Sequence, residues 1–132
     1  MADTAWRLFK ALNRQEAVDY LRNRLEKGFT VIQAYVLRGL CVPNLYGELP
    51  LMDRDPSRPN EAFFKNIDFI VDKAQELGLF MGLVTTFGEH VRRGNVEGEY
   101  FESDEAVFTE KKAYEYGCFL GNLDGFQCKK GL

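Results

Sequence analysis

These 132 residues include only one histidine and three cysteines, and they contain no long apolar run. Each of these shortages excludes a class of protein. Because His90 is the only histidine, zinc sites that need two or more histidines are excluded. A Ser-His-Asp or Cys-His mechanism is excluded as well, unless His90 itself takes part. Cys41, Cys118 and Cys128 show no Cys-x-x-Cys spacing, and we expect buried free thiols rather than a disulfide or a metal site. We therefore expect no metal and no cofactor.

There is no excess of positive charge either. The formal net charge is -3, so the sequence offers no basic surface for a nucleic-acid backbone. No apolar run approaches the ~20 residues that a membrane-spanning helix needs, and the first residues lack the apolar core of a signal peptide. We expect neither a nucleic-acid partner nor a membrane, and a cytoplasmic location by default. The sequence indicates no oligomeric state.

What the sequence does contain is the composition of one ordinary globular domain. Hydrophobic residues make up 45% of the chain and charged residues 28%, which is typical of a folded domain with its own core. The aromatic content is 14%. Aromatic side chains fill cores first and line sugar or base sites second.

Three helices are marked by capping residues. Asn13 with Glu16 has the spacing of a capping box, and Gly28 follows the last turn of this first helix as its C-terminal glycine. Its buried stripe is predicted to be Ala17, Leu21 and Leu25. A second helix begins after Asn60 and ends at Gly78, and a third is predicted over residues 110–120, capped by Thr109. The stripe of the second helix is predicted to be Phe63, Ile67, Ile70, Ala74 and Leu77.

Two apolar, β-branched segments follow the first two helices directly. Residues 30–36 and 79–86 are predicted to be strands, the first of them buried on both faces. Helices that alternate with strands indicate an α/β fold with a parallel sheet and right-handed crossovers. The two strands are therefore predicted to be parallel neighbours.

The connections that leave these strands are long, and those that enter them are short. Residues 38–59 and 88–108 follow the strands, whereas the turns at Gly28 and Gly78 are very short. In α/β folds, long loops gather at the carboxyl ends of the strands, where ligands bind. We expect a packed functional loop at 38–59, because it carries apolar residues that a solvated linker does not need.

Several segments, in the same order, resemble the N-terminal part of the apiosidase-like glycoside hydrolases. They are DTAWRLFKALNRQEAVDYLRNRLEKGFTVIQAYVL, PNLYGELPLMDRDPSRPNEAFF and ELGLFMGLVTTFG, and the resemblance extends over residues 3–121. It implies a TIM (β/α)8 barrel and the hydrolysis of glycosidic bonds in plant cell-wall or similar branched polysaccharides. A carbohydrate is the partner that it implies.

The resemblance also implies that the chain is a single partial domain over residues 1–132. In the family a strand precedes the DTAW segment, and here only Met1 and Ala2 do, so the first strand is expected to be missing. A full barrel needs about 250 residues, and the family's catalytic carboxylates lie on later strands. We expect an N-terminal barrel fragment, inactive alone, with no catalytic residue of its own. The alternatives are a non-catalytic fragment and a weak carbohydrate-binding module.

Candidate substrate-binding residues are taken from the expected carboxyl edge of the sheet. Asp3 is either a sugar-hydroxyl ligand or a helix cap, and for Glu89 an exposed loop charge is favoured over a role in the site. Trp6 and Phe87 are either sugar-stacking aromatics or core. Family members commonly carry tryptophan where this chain has Phe87.

Four polar residues complete the expected site. Gln33 interrupts an apolar strand, so it either faces substrate or bonds a neighbouring backbone group. Thr86 lies near its strand end and could donate a hydroxyl contact, and Asn44 and Tyr46 belong to the loop that carries the resemblance. The aspartates of the segment DRDPSR lack the remaining ligands of a calcium loop. We predict that Gln33, Thr86 and the loop of Asn44 and Tyr46 gather near Asp3 and Trp6.

Overall fold

In the computed structural model, which describes residues 1–91 and 106–122, three parallel strands form one sheet. The strands are β1 (Ala2–Ala5), β2 (Val31–Tyr35) and β3 (Phe80–Val84), in the order β1-β2-β3. β2 pairs in parallel with both neighbours, with Val31 opposite Ala2 on one side and Phe80 on the other. The predicted parallel pairing of the second and third strands is confirmed.

Helices connect the strands and cover one face of the sheet. They are α1 (Leu8–Ala11), α2 (Arg14–Glu26), α3 (Glu61–Glu76) and α4 (Glu110–Asn122), with short 3-10 turns at Met52–Arg54 and Gly88–His90. None of the helices in the described ranges has the length and hydropathy that crossing a membrane requires.

The helix ends follow the capping signals of the sequence. The side chain of Asn13 accepts from the backbone N–H of Glu16, and the Glu16 carboxylate accepts from the backbone N–H of Asn13, which completes the capping box. Asn60 caps α3 through the backbone N–H of Ala62, and the Thr109 hydroxyl accepts from Lys112 at the start of α4. Gly28 has φ 83°, a left-handed conformation that glycine adopts without strain.

The expectation that the first strand is missing is wrong, because the chain begins with a short strand. Residues 2–5 themselves form β1, where the sequence predicted a loop after an absent strand. The backbone N–H of Thr30 donates to the carbonyl of Met1 (2.9 Å), which fixes the start of the pairing. A four-residue segment made of Asp3, two alanines and a single β-branched residue carries little strand signal of its own, so its conformation comes from pairing with β2.

The two faces of β2 differ in burial, because side chains alternate along a strand. Ile32, Ala34 and Val36 are fully buried against the helices. Val31 and Gln33 lie on the opposite face and are partly or well exposed, although Tyr35 at the end of that face is buried. The prediction that this strand is buried on both faces is therefore wrong.

Three smaller expectations are also corrected. Leu25, predicted in the buried stripe of α2, is exposed, and Val18 is buried in that helix instead. Cys41 and Cys118 are exposed because one lies in the loop after β2 and the other on the solvent side of α4, while Cys128 lies outside the described residues. In α3, all of the predicted stripe except Leu77 is fully buried.

Candidate functional site

Three aromatic rings meet at the carboxyl edge of the sheet. Trp6 directly follows β1, Tyr35 ends β2, and Phe87 lies three residues after β3. The ring centroids of Tyr35 and Phe87 are 4.6 Å apart, those of Trp6 and Phe87 5.6 Å, and those of Trp6 and Tyr35 6.2 Å. All three contacts are edge-to-face, the arrangement that ring quadrupoles favour. We call these three residues the aromatic platform.

The platform consists of one buried ring, that of Tyr35, and two partly exposed rings. Tyr35 is 2% exposed, whereas Trp6 is 36% exposed and Phe87 37%. Exposed aromatic faces beside a fixed ring can stack on the C–H surface of a sugar. The sequence placed Trp6 and Phe87 at this edge but missed Tyr35, whose only signal was its position as the last residue of an apolar strand.

The turn that carries Phe87 is held by polar contacts. Thr86 Oγ1 lies 2.9 Å from His90 Nδ1, and the backbone N–H of His90 donates to the carbonyl of Phe87 (3.2 Å). From α4, the Tyr116 hydroxyl donates to the carbonyl of Thr85 (3.2 Å). Burial raises the pKa of Tyr116, in keeping with a hydroxyl that remains a donor.

Gln33 lies on the same face of the sheet as Tyr35, two residues before it. A Cβ built on Gly82 would lie 3.9 Å from the Cβ of Gln33 and 3.9 Å from Cγ1 of Val31, so these side chains flank the space over Gly82. Gln33 is exposed. The structure thus places Gln33 on the face that carries the platform, two residues nearer the amino end of β2 than Tyr35.

Asp3 is turned toward the helices instead. Its carboxylate accepts from the Tyr20 hydroxyl (2.6 Å) and from the backbone N–H of Thr4 (2.9 Å). Nε of Arg24 lies 3.2 Å from the same carboxylate, although the two are not aligned as a hydrogen bond. The Tyr20 hydrogen bond is the main cause that lowers the pKa of Asp3, and burial together with Asp3 raises that of Tyr20.

Asn44 and Tyr46 contact the loop and the start of α2. The Asn44 side chain is buried, and its oxygen accepts from the backbone N–H groups of Tyr46 and Glu48, both at 3.0 Å. The Tyr46 hydroxyl accepts from the backbone N–H of Arg14 (2.9 Å). The structure therefore brings Trp6, Phe87 and Thr86 together, and places Asn44 and Tyr46 as supports of the loop after β2.

A buried lysine holds the beginning of the same loop. Lys10 on α1 donates from Nζ to the carbonyls of Gly39 and Val42, the second at 2.7 Å. Its ammonium also lies 5.8 Å from the ring centroid of Phe63, a cation–π distance. No sequence pattern indicates this role, because Lys10 is separated from its acceptors by about 30 residues.

The charged turn of residues 53–58 is stabilised by contacts within it. Arg58 pairs with Asp53, and the Ser57 hydroxyl donates to Asp55 (2.7 Å) and lowers its pKa. Across residues 1–91 and 106–122, no group of three metal-ligating side chains comes together. The side chain of Glu89 and all of residues 92–105 lie outside the described part of the structure.

Comparisons with known proteins agree on one kind of domain. A family model described as "Apiosidase-like, catalytic domain" matches residues 1–123. Among solved structures, a protein titled "Glycoside hydrolase" shares 27% identity with a TM-score of 0.73, covering 91% of this chain and 25% of that chain. A glycoside hydrolase family 5 structure from Bacteroides vulgatus ATCC 8482 shares 24% identity with a TM-score of 0.72 and the same coverages. No curated protein matches the sequence. The chain thus spans about a quarter of each structure, as part of a (β/α)8 barrel.

Proposed function

The chain belongs to the apiosidase-like catalytic domain family, and on that premise we propose that it supplies the sugar-stacking platform of a glycoside hydrolase. The reaction is the hydrolysis of a glycosidic bond in plant cell-wall or similar branched polysaccharides. The observation that carries the proposal is the meeting of Trp6, Tyr35 and Phe87 at the carboxyl edge of the sheet. That edge is where barrel enzymes bind their substrates.

In this proposal the platform binds and orients a sugar ring. Two rings expose a little over a third of their surface while Tyr35 fixes them from beneath, so the stacking surface is largely ordered before a ligand arrives. Pre-ordering lowers the entropy that binding must remove. Thr86 lies in the turn that carries Phe87, and Gln33 lies on the same face of the sheet as Tyr35. We assign both side chains to contacts with sugar hydroxyl groups.

We further propose that these 132 residues alone do not hydrolyse glycosides. Hydrolysis needs two carboxyl groups about 5–10 Å apart on either side of the scissile bond. Asp3, the described carboxylate nearest in sequence to the platform, is held by Tyr20 on the helix side of the sheet. Its contacts suit a structural role, and we leave it out of the proposed sugar contacts. The catalytic pair is assigned to strands of the barrel other than β1, β2 and β3.

The test joins an activity assay with a binding assay on the purified chain. We expect no turnover of a panel of aryl glycosides and apiose-bearing pectin fragments. Sugar binding is followed through Trp6, the only tryptophan, and we expect Phe87→Ala to weaken it about three- to tenfold, as the loss of one aromatic contact predicts. Tyr114→Ala is the matched control, because Tyr114 is an exposed aromatic on α4.

Two results contradict the proposal. Specific turnover that disappears in Asp3→Ala or Glu89→Ala shows a complete enzyme. Binding that Phe87→Ala and Tyr114→Ala change equally shows that the platform is not the sugar site.

A second candidate, a carbohydrate-binding module, is favoured by one observation: all three platform rings come from this chain. Stacking alone accepts any sugar with an apolar face and binds it weakly. A dedicated binding module, in contrast to a surface that binds by stacking alone, discriminates between sugars. A clear rank order of affinities over the same panel, without turnover, supports the second candidate over the first.

A further inference from the structure

We propose that His90 is a positioning residue that sets the place of Phe87 in the aromatic platform. The inference rests on the proposed function only for its consequence in sugar binding. Its structural part concerns the turn between β3 and the short 3-10 turn Gly88–His90, and it holds without any ligand.

The His90 side chain is buried and polar, so its ring nitrogens need partners. It is 2% exposed, and its Nδ1 lies 2.9 Å from the hydroxyl oxygen of Thr86. This contact is possible in either tautomer, because a hydroxyl both donates and accepts. The residue that precedes Phe87 is therefore bonded to a buried ring.

The backbone of His90 makes a second set of ties. Its N–H donates to the carbonyl of Phe87 (3.2 Å). Its carbonyl accepts from the N–H groups of Val107 (2.8 Å) and Phe108 (3.0 Å), which lie just before α4. Through these bonds His90 attaches the platform turn to the segment that leads into α4.

These ties matter because Phe87 comes from a turn and not from a strand. Trp6 and Tyr35 directly follow or end strands of the sheet, whereas Phe87 stands three residues beyond β3. A side chain on an unsupported turn samples several positions, and ordering it on binding would weaken affinity. With His90 in place, Phe87 stays within contact distance of both other rings.

The experiment measures the platform without a ligand, through acrylamide quenching and the emission maximum of Trp6. Phe87→Ala calibrates the signal for a platform that has lost Phe87. We expect His90→Leu, which removes the ring nitrogens, and Thr86→Val, which removes the hydroxyl, to increase Trp6 quenching and shift its emission to longer wavelength. His90→Asn keeps a polar atom near the Nδ1 position, and we expect it to lie closer to the wild type than His90→Leu.

Ile70→Ala is the stability control, since Ile70 is fully buried in α3 and its truncation destabilises without touching the turn. The proposal is overturned if Phe87→Ala changes the quenching and emission maximum of Trp6, whereas His90→Leu and Thr86→Val give the same values as Ile70→Ala. It is also overturned if His90→Asn resembles His90→Leu. Should His90→Leu not fold, Thr86→Val carries the same test. If the wild type binds no sugar, the proposed function is refuted. The Trp6 fluorescence measurements need no ligand, so they still decide whether His90 positions Phe87.

Discussion

Asp3 and Tyr20 form a short hydrogen bond that joins β1 to α2 (2.6 Å). The bond favours the ionised form of Asp3 and lowers its pKa. Burial, together with the bond to Asp3, raises the pKa of Tyr20. Because Arg24 lies beside the same carboxylate, these three side chains act as one support for the first strand.

Removing the Tyr20 hydroxyl tests this support. We expect Tyr20→Phe to lower the free energy of unfolding by about 1 kcal/mol, since a partly exposed hydrogen bond to a charged group is lost. Chemical denaturation at neutral pH measures it. Tyr114→Phe is the control, because Tyr114 is 75% exposed, and an equal loss in both variants would contradict the assignment.

The same support predicts a dependence on pH. A carboxyl group whose pKa is lowered by folding stabilises the fold above its unfolded pKa, and this contribution is lost as the pH falls through the folded value. We expect the stability difference between the wild type and Asp3→Asn to be constant above about pH 5 and to shrink below about pH 4. Urea denaturation across this range measures it, and a difference that grows toward acid pH would rule it out.

The direction of Asp3 could not be read from the sequence. Side chains alternate along a strand, so a register shift of one residue moves a side chain to the other face. Only the pairing of Asp3 with Ile32 fixes it on the helix side. Trp6 and Phe87 were placed correctly at the edge because position after a strand is enough, whereas Tyr35 was hidden in an apolar run that reads as core.

Among the helices, α2 shows how much local signals can specify. Both halves of its capping box are present, and its end at Gly28 follows from the left-handed conformation that glycine allows. These features depend on residues within one turn of each other, which is why the sequence predicted them. The four-residue strand β1 depends on a partner about 30 residues away, and it was missed for that reason.

Loss of the cap gives a prediction for this helix. Asn13→Ala removes the side-chain acceptor for the Glu16 backbone N–H, and we expect it to lower the free energy of unfolding by about 1 kcal/mol. The matched control is Asn23→Ala, because Asn23 is exposed in the same helix and alanine is the better helix former. Thermal denaturation compares the two, and an unchanged midpoint for Asn13→Ala would contradict the role of the cap.

Across the described part of the chain, the sheet has one covered face and one largely open face. Fully buried β2 residues lie on the helix side, whereas Phe80 on β3 is 72% exposed. In residues 1–91 and 106–122, β1 and β3 each pair only with β2. Open strand edges beside exposed apolar side chains invite association between copies.

We therefore expect these 132 residues, expressed alone, to be poorly soluble, and Phe80→Lys to raise the concentration at which the chain stays monomeric. A lysine on an edge strand opposes edge-to-edge pairing. Light scattering over a concentration series measures this. Tyr114→Lys makes the same change of charge at an equally exposed aromatic on α4, and an equal gain from both variants would show that charge, not the strand edge, is responsible.

The register of the sheet also has a kinetic consequence. Parallel pairing joins Ala2 to Val31 and Val31 to Phe80, so residues about 30 and about 50 positions apart must meet before the sheet exists, and such distant contacts slow folding. The capped helices form within microseconds, long before the strands find one another. During synthesis, β1 and β2 are both made well before β3, so we expect the sheet to be completed only after β3 has left the ribosome.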